Sequence, residues 1–85
     1  ILYGKKNDTL KFDFEGTRIA VLCPKNYKAD FEVYIDGKKA DSVTVKDDGG
    51  KIFVSYLSPD IGGGKHDVEI KCKGKTAIDS VVIFN

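Results

Sequence analysis

Histidine is the residue type most able to carry out acid–base chemistry, and it occurs once in this chain, at His66. Any mechanism that pairs a serine or cysteine nucleophile with an imidazole base would have to use this residue. The sequence contains no Gly-x-Ser-x-Gly nucleophile elbow, and the glycine-rich run 62–65 lacks the spacing of a Walker phosphate loop. We therefore predict that the chain is not an enzyme, and that His66 is a surface or turn residue whose ring packs on a loop.

Possible metal ligands are scattered along the chain. Carboxylates occur at Asp36, at Asp47-Asp48 and at Asp60, but no Asp-x-Asp-x-Asp calcium loop is present. Two separated cysteines and one histidine do not form the paired short spacings of a structural zinc site. We predict no cofactor and expect solvated turn carboxylates, with a calcium ion at such turns as the alternative.

Tyrosines beside hydrogen-bonding side chains form the best candidate for a binding site. Tyr27, Asn26 and Asp30 lie close together in and after a polar turn, and Tyr34 alternates with inward apolar residues, so its ring should face outward. Saccharide sites combine apolar ring faces with a few polar groups. These four residues are the predicted ligand-binding set. Half-buried strand tyrosines are the alternative, and the absence of tryptophan argues against tight glycan binding.

Strands must position these side chains, because apolar residues alternate and no helical period occurs. The central unit joins the alternating segments 10–23 and 30–37 through the polar turn 24–29. Asp36-Gly37 is a hairpin signal, for which we expect a rather long loop, and 47–50 is the strongest turn signal. Further strands are predicted at 42–46, 52–57, 66–72 and 77–84, and a short edge strand at 1–3.

The predicted strands indicate an all-β fold, an antiparallel β-sandwich of about seven strands. Its expected core consists of the apolar residues that alternation places inward. They are Phe12, Phe14, Ile19, Val21, Phe31, Val33, Ile35, Val68, Ile70 and Val81.

Length and charge restrict the possible partners. The 85 residues suit a single module spanning 1–85, and a formal net charge of +1 gives no overall attraction to nucleic acid. No apolar run is long enough to cross a membrane, and no signal segment is present. Since the chain begins at Ile1, we expect a mature or excised part of a larger protein.

Four stretches resemble the galactose-binding-like jelly-roll modules that are attached to bacterial carbohydrate-active enzymes and sugar esterases. The stretches are Phe12-x-Phe14-x-Gly16-Thr17-x-Ile19, Val33-Tyr34-Ile35-Asp36-Gly37, Gly64-Lys65-His66-Asp67-Val68-x-Ile70 and Ile78-Asp79-x-Val81. The resemblance implies a jelly-roll fold, a secreted or cell-surface location in bacteria, and a polysaccharide or neighbouring domains as partners. Those modules usually carry further strands before the first stretch. A missing strand would leave an exposed edge, so a swapped dimer or a docked neighbouring segment is expected.

Cys23 and Cys72 both fall on predicted inward faces, at the ends of strands that could be neighbours. The resemblance implies an oxidising compartment, in which a disulfide between them would persist. Two buried free thiols are the alternative.

These observations together predict a non-catalytic carbohydrate-binding or accessory module of an extracellular carbohydrate-active protein. The alternative is a structural spacer or protein–protein interaction module without a small-molecule ligand.

Overall fold

The computed structural model describes residues 2–24, 27–46 and 53–85, and these residues form nine β-strands. The strands are short because glycine, proline and polar turns interrupt each alternating segment. In chain order they are β1 (Leu2–Gly4), β2 (Thr9–Glu15), β3 (Arg18–Cys23), β4 (Ala29–Ile35), β5 (Lys38–Val45), β6 (Phe53–Leu57), β7 (Lys65–Cys72), β8 (Thr76–Ile78) and β9 (Ser80–Phe84).

Two main sheets pack face to face. One has the order β2-β7-β4-β5 and the other β6-β3-β9, and a small third sheet pairs β1 with β8. Each strand pairing is antiparallel. The predicted all-β antiparallel sandwich is therefore confirmed, with nine strands rather than about seven in the described part of the chain.

The core lies between the two main sheets, where period-two alternation places apolar residues. Eight of the ten predicted core residues are buried, and the remaining two, Phe12 and Val81, pack against the core while partly exposed. Phe12 lies on the edge strand β2 and Val81 on the edge strand β9, where one flank has no neighbouring strand. Edge position thus explains their incomplete burial.

Two predicted elements differ from the structure. Asp36 and Gly37 have φ values of 52° and 81°, and Ile35 pairs directly with Lys38, so the hairpin has a tight two-residue loop rather than a long one. The predicted strand 77–84 is interrupted at Asp79, whose N–H donates to the Leu22 carbonyl at 2.8 Å. The turn predicted at 47–50 lies outside the described residues.

The two cysteines are buried free thiols, so the predicted disulfide is not formed in the structure. Cys23 lies in β3 and Cys72 in β7, which belong to different sheets. The two sulfur atoms have different neighbours. The Cys23 thiol donates to Ser55 Oγ at 3.2 Å. Cys72 Sγ lies against Gly4, where an added Cβ would be 2.8 Å from the sulfur. Alternation correctly placed both sulfurs inward, but the strands that carry them are not neighbours. Burial raises the pKa of both thiols.

Candidate functional site

A groove of about 730 Å³ opens at the end of the sandwich where β4 begins. The small β1-β8 sheet forms one side, because Gly4 pairs with Thr76 and Tyr3 pairs with Ala77. The segment before β4 forms the other side and is fixed by the Ala77 N–H, which donates to the Lys28 carbonyl at 3.0 Å. The groove therefore joins residues from three separate parts of the chain.

The turn after β1 supplies the remaining side of the groove and is held at both ends. The Lys5 N–H donates to the Asp8 carboxylate at 3.0 Å, and the Asp8 N–H donates to the Lys5 carbonyl at 3.0 Å. Asn7, at the tip of the turn, has a positive φ of 77°. Its N–H donates to the Cys72 carbonyl at 2.9 Å. These bonds anchor the turn to β7.

Two exposed tyrosines are the main apolar surface of the groove. The ring centroids of Tyr3 and Tyr27 lie 5.5 Å apart with an edge-on angle of 60°, and the Tyr3 hydroxyl donates to the Tyr27 hydroxyl at 3.2 Å. Their exposed fractions are 60% and 42%. The hydrogen bond with Tyr27 raises the pKa of Tyr3. The pair is thus oriented before any ligand arrives, with ring faces and hydroxyls both accessible.

The structure separates the three predicted ligand-binding residues that it describes, Tyr27, Asp30 and Tyr34. Tyr27 lines the groove, whereas Asp30 lines a neighbouring shallow groove and accepts from the Thr44 hydroxyl at 3.5 Å. Tyr34 lies further along β4, on the outer face of its sheet. Asn26 lies outside the described residues. Tyr3, which was not predicted, takes the place beside Tyr27.

The outward orientation predicted for Tyr34 agrees with its half-buried position in β4. Its ring, however, already has a partner, since Lys71 Nζ lies 4.3 Å from the ring centroid. Its hydroxyl donates to Glu32 at 3.4 Å. A hydrogen bond from Lys39, at 2.9 Å, lowers the pKa of Glu32. This face is consequently a network of intramolecular contacts rather than an open aromatic surface.

His66 is buried, so it is not the surface residue expected from the sequence, although its ring does contact the glycine-rich loop at Gly62. Its Nδ1 lies 2.7 Å from the Asp36 carboxylate and its Nε2 lies 2.8 Å from the Gly62 carbonyl. Both partners are hydrogen-bond acceptors, so the protonated imidazole, in which both ring nitrogens donate, satisfies both contacts. The Asp36 contact, followed by that of Gly62, raises the pKa of His66. In the protonated ring neither nitrogen can act as a general base.

Among residues 2–24, 27–46 and 53–85, no group of three or more His, Cys, Asp or Glu residues is arranged to hold a metal ion. Within the same ranges, no helix is both long and apolar enough to cross a membrane.

Neither a known protein family nor a curated protein sequence matches the chain. Its fold does match solved structures. An active-site mutant of a family two carbohydrate esterase from Clostridium thermocellum superposes with a TM-score of 0.76 at 14% identity, over 95% of this chain and 26% of the esterase chain. A carbohydrate esterase family 2 enzyme plus carbohydrate binding domain from Corynascus thermopiles (Myceliophthora fergusii) gives 0.60 at 17% identity, over 94% and 25% of the two chains.

A family GH115 4-O-methyl-alpha-glucuronidase with specificity for decorated arabinogalactans gives a TM-score of 0.62 at 20% identity, over 98% of this chain and 14% of the enzyme. At these identities the comparisons show a shared fold. The chain spans about a quarter or less of each of these solved chains. The fold is therefore found as a small part of larger carbohydrate-active enzymes.

Proposed function

We propose that this chain is a non-catalytic, galactose-binding-like carbohydrate-binding module of a larger secreted or cell-surface carbohydrate-active protein. The observation that carries the proposal is the exposed Tyr3–Tyr27 pair in the groove at the end of the sandwich. A sugar ring has an apolar face that stacks on aromatic rings and hydroxyls at its edge that need polar partners. The groove offers both within one surface.

The proposal assigns binding to the groove rather than to the outer face of β4. The Tyr3 and Tyr27 rings are accessible, whereas the Tyr34 ring is partly covered by the Lys71 ammonium group. The engagement of both His66 ring nitrogens by Asp36 and Gly62 supports a structural rather than a catalytic role for this residue. The fold's occurrence as a minor part of carbohydrate-active enzymes supports an accessory role.

Affinity gel electrophoresis against a panel of polysaccharides tests this function. We expect retardation of the wild-type chain in at least one polysaccharide, and we expect Tyr27→Ala to abolish it because half of the stacking surface is removed. Tyr34→Ala is the matched control, since it removes the same atoms from the other face. Thermal melting of each variant monitors folding. The proposal fails if no polysaccharide retards the chain, or if Tyr34→Ala abolishes retardation and Tyr27→Ala does not.

One observation favours the second candidate, a spacer or protein-interaction module. The outer face of the β6-β3-β9 sheet carries four exposed apolar side chains. They are Val54, Leu57, Val82 and Phe84, and we call them the apolar outer face. A contiguous apolar sheet surface of this kind is typical of a region covered by another protein surface. A neighbouring domain of a parent protein would be the natural partner.

A further inference from the structure

The charges around the groove are not balanced. Lys5, Lys28 and Lys75 line it together with a single carboxylate, Asp8. In the part of the chain that the structure describes, none of the ion pairs involves these three lysines. One Asp8 oxygen already accepts the backbone N–H of Lys5. The chain as a whole has a formal net charge of only +1, so this excess of positive charge is a local property.

The lysines also connect the groove to its neighbour. Lys28 and Lys75 line both the tyrosine groove and the smaller groove of about 620 Å³ beside Asp30. In that second groove the Asp30 carboxylate is engaged by Thr44, and the Asp30 carbonyl accepts from the Thr76 hydroxyl at 3.0 Å. A chain-like ligand running from one groove to the other would therefore pass Lys28 and Lys75.

We propose that the groove selects saccharides that carry anionic groups, either carboxylates or sulfate esters, over neutral ones. This inference rests on the proposed function, because the Tyr3–Tyr27 pair supplies the stacking surface. The ammonium group of lysine is a compact point charge with three donors, so it binds either kind of anion without demanding one geometry. At exposed positions each such contact contributes modestly and weakens as salt is added.

Isothermal titration with three matched probes tests the selection. The probes are an oligogalacturonate, the same oligomer after reduction of its carboxyl groups, and a sulfated galacto-oligosaccharide of similar length. We expect the chain to bind at least one anionic probe more tightly than the carboxyl-reduced oligomer, and this preference to shrink between about 0.02 and 0.5 M NaCl. Whether the carboxylated or the sulfated probe binds identifies the anion.

Charge-removing variants locate the effect. We expect Lys28→Gln and Lys75→Gln each to weaken binding of the anionic probe by roughly two- to fivefold, and to weaken binding of the neutral oligomer by a smaller factor. Lys38→Gln is the control, because Lys38 is exposed and pairs with Ile35 at the far end of β4. It removes the same charge away from the groove, so binding should be unaffected.

The possible outcomes separate this inference from the function on which it rests. If the anionic and neutral probes bind with equal affinity, and Tyr27→Ala abolishes binding of both, the charge selection is overturned and the binding function stands. If Lys38→Gln and Lys75→Gln lose the same amount of affinity for the anionic probe, the attraction is non-specific and the selection is also overturned. No binding of any probe, together with no retardation by any polysaccharide, would overturn both.

Discussion

At the scale of single residues, His66 shows how a side chain suited to catalysis is used for structure. Its ring lies between the Asp36 turn and the Gly62 carbonyl, and it packs 5.4 Å from the Phe14 ring. Asp36 accepts a second hydrogen bond, from the Asp67 N–H at 2.9 Å. Through the hydrogen bonds of its ring to Asp36 and Gly62, His66 links the β4–β5 hairpin to the glycine-rich loop, and the bond to the Asp36 carboxylate is a charged one.

The first prediction concerns the pH dependence of stability. The pKa of His66 is raised above its ordinary 6.5, so its contribution is complete below pH 6.5 and is lost as pH rises through the raised value. The pKa of Asp36 is lowered, chiefly by His66, so its contribution is complete above the ordinary 3.8 and is lost as pH falls through the lowered value. We expect the urea midpoint to be highest between about pH 3.8 and 6.5, and to fall as the pH rises through the raised pKa of His66.

The matched variant for this prediction is His66→Gln, which keeps a neutral donor near Asp36 but cannot be protonated. Its urea midpoint should change little between about pH 6 and 9, since no imidazole titrates there. An alkaline fall of the same size in the wild type and in His66→Gln would contradict the assignment.

How far the sequence predicted these residues depends on the range of the contact involved. Alternation is a local property, so it identified the inward residues and the outward face of Tyr34. The neighbours of Tyr27 and His66 are set by pairings between distant segments. Tyr3 reaches Tyr27 only because β1 pairs with β8, and Asp36 reaches His66 only because β4 pairs with β7. No local pattern in the sequence contains that information.

At the scale of the elements, Gly16 allows β9 to approach the corner between β2 and β3 closely. It is buried between β2 and β3, and its N–H donates to the Gly64 carbonyl at 3.1 Å. A Cβ at this position would collide with the backbone oxygen of Phe84 and would lie 2.8 Å from Ile83 Cγ2. The next residue, Thr17, donates its N–H to the same Phe84 oxygen at 2.7 Å. The backbone of β9 can therefore approach only a residue without a side chain.

We expect Gly16→Ala to lower the free energy of unfolding by about 1–3 kcal/mol, because β9 or the corner must shift to accommodate the methyl group. Gly63→Ala is the control, since nothing lies within 4 Å of an added Cβ there. Urea denaturation of the two variants measures the difference. Equal midpoints for both would show that the close approach of β9 is not a constraint.

The strands themselves were predicted well where a segment keeps the same partners along its length and poorly where the partner changes within the segment. The segment 77–84 is almost continuously apolar, which predicts one strand, yet β8 pairs with β1 and β9 pairs with β3. The change of partner falls at Asp79-Ser80, the two polar residues of the segment, which a single strand could also contain. The hairpin at Asp36-Gly37 was predicted, but the length of its loop was wrong, since residues 38–42 of β5 are all exposed and do not alternate.

At the scale of the whole molecule, we expect the apolar outer face to determine whether the chain associates. Ala20 in β3 pairs with Leu57 on one side and Val82 on the other, so the exposed side chains of β6 and β9 flank a central strand whose Ala20 is itself buried. We expect the isolated chain to self-associate reversibly with concentration, because this surface is otherwise left in water. Sedimentation velocity over a range of concentrations measures the association.

Val82→Lys should suppress that association by placing a charge in the middle of the surface. Leu2→Lys adds the same charge to β1, another exposed position, and should not suppress it. A dimer formed by exchange of the N-terminal strand, the swapped form expected from the sequence, would instead survive Val82→Lys. A wild-type chain that stays monomeric at every concentration would contradict the role of this face.

The position of β2 has a consequence for how the chain folds. In the described part of the chain, β2 lies at the edge of its sheet and its strand neighbour there is β7. The segment that forms β2 therefore cannot pair until residues 65–72, in the last third of the chain, are available. Topologies dominated by such distant pairings fold slowly, on the order of milliseconds to seconds, because loop closure precedes the gain from contacts. During synthesis Phe12 and Phe14 therefore leave the ribosome well before Val68 and His66, the residues that will lie opposite them. A nascent chain halted before β7 would expose this aromatic segment to chaperones.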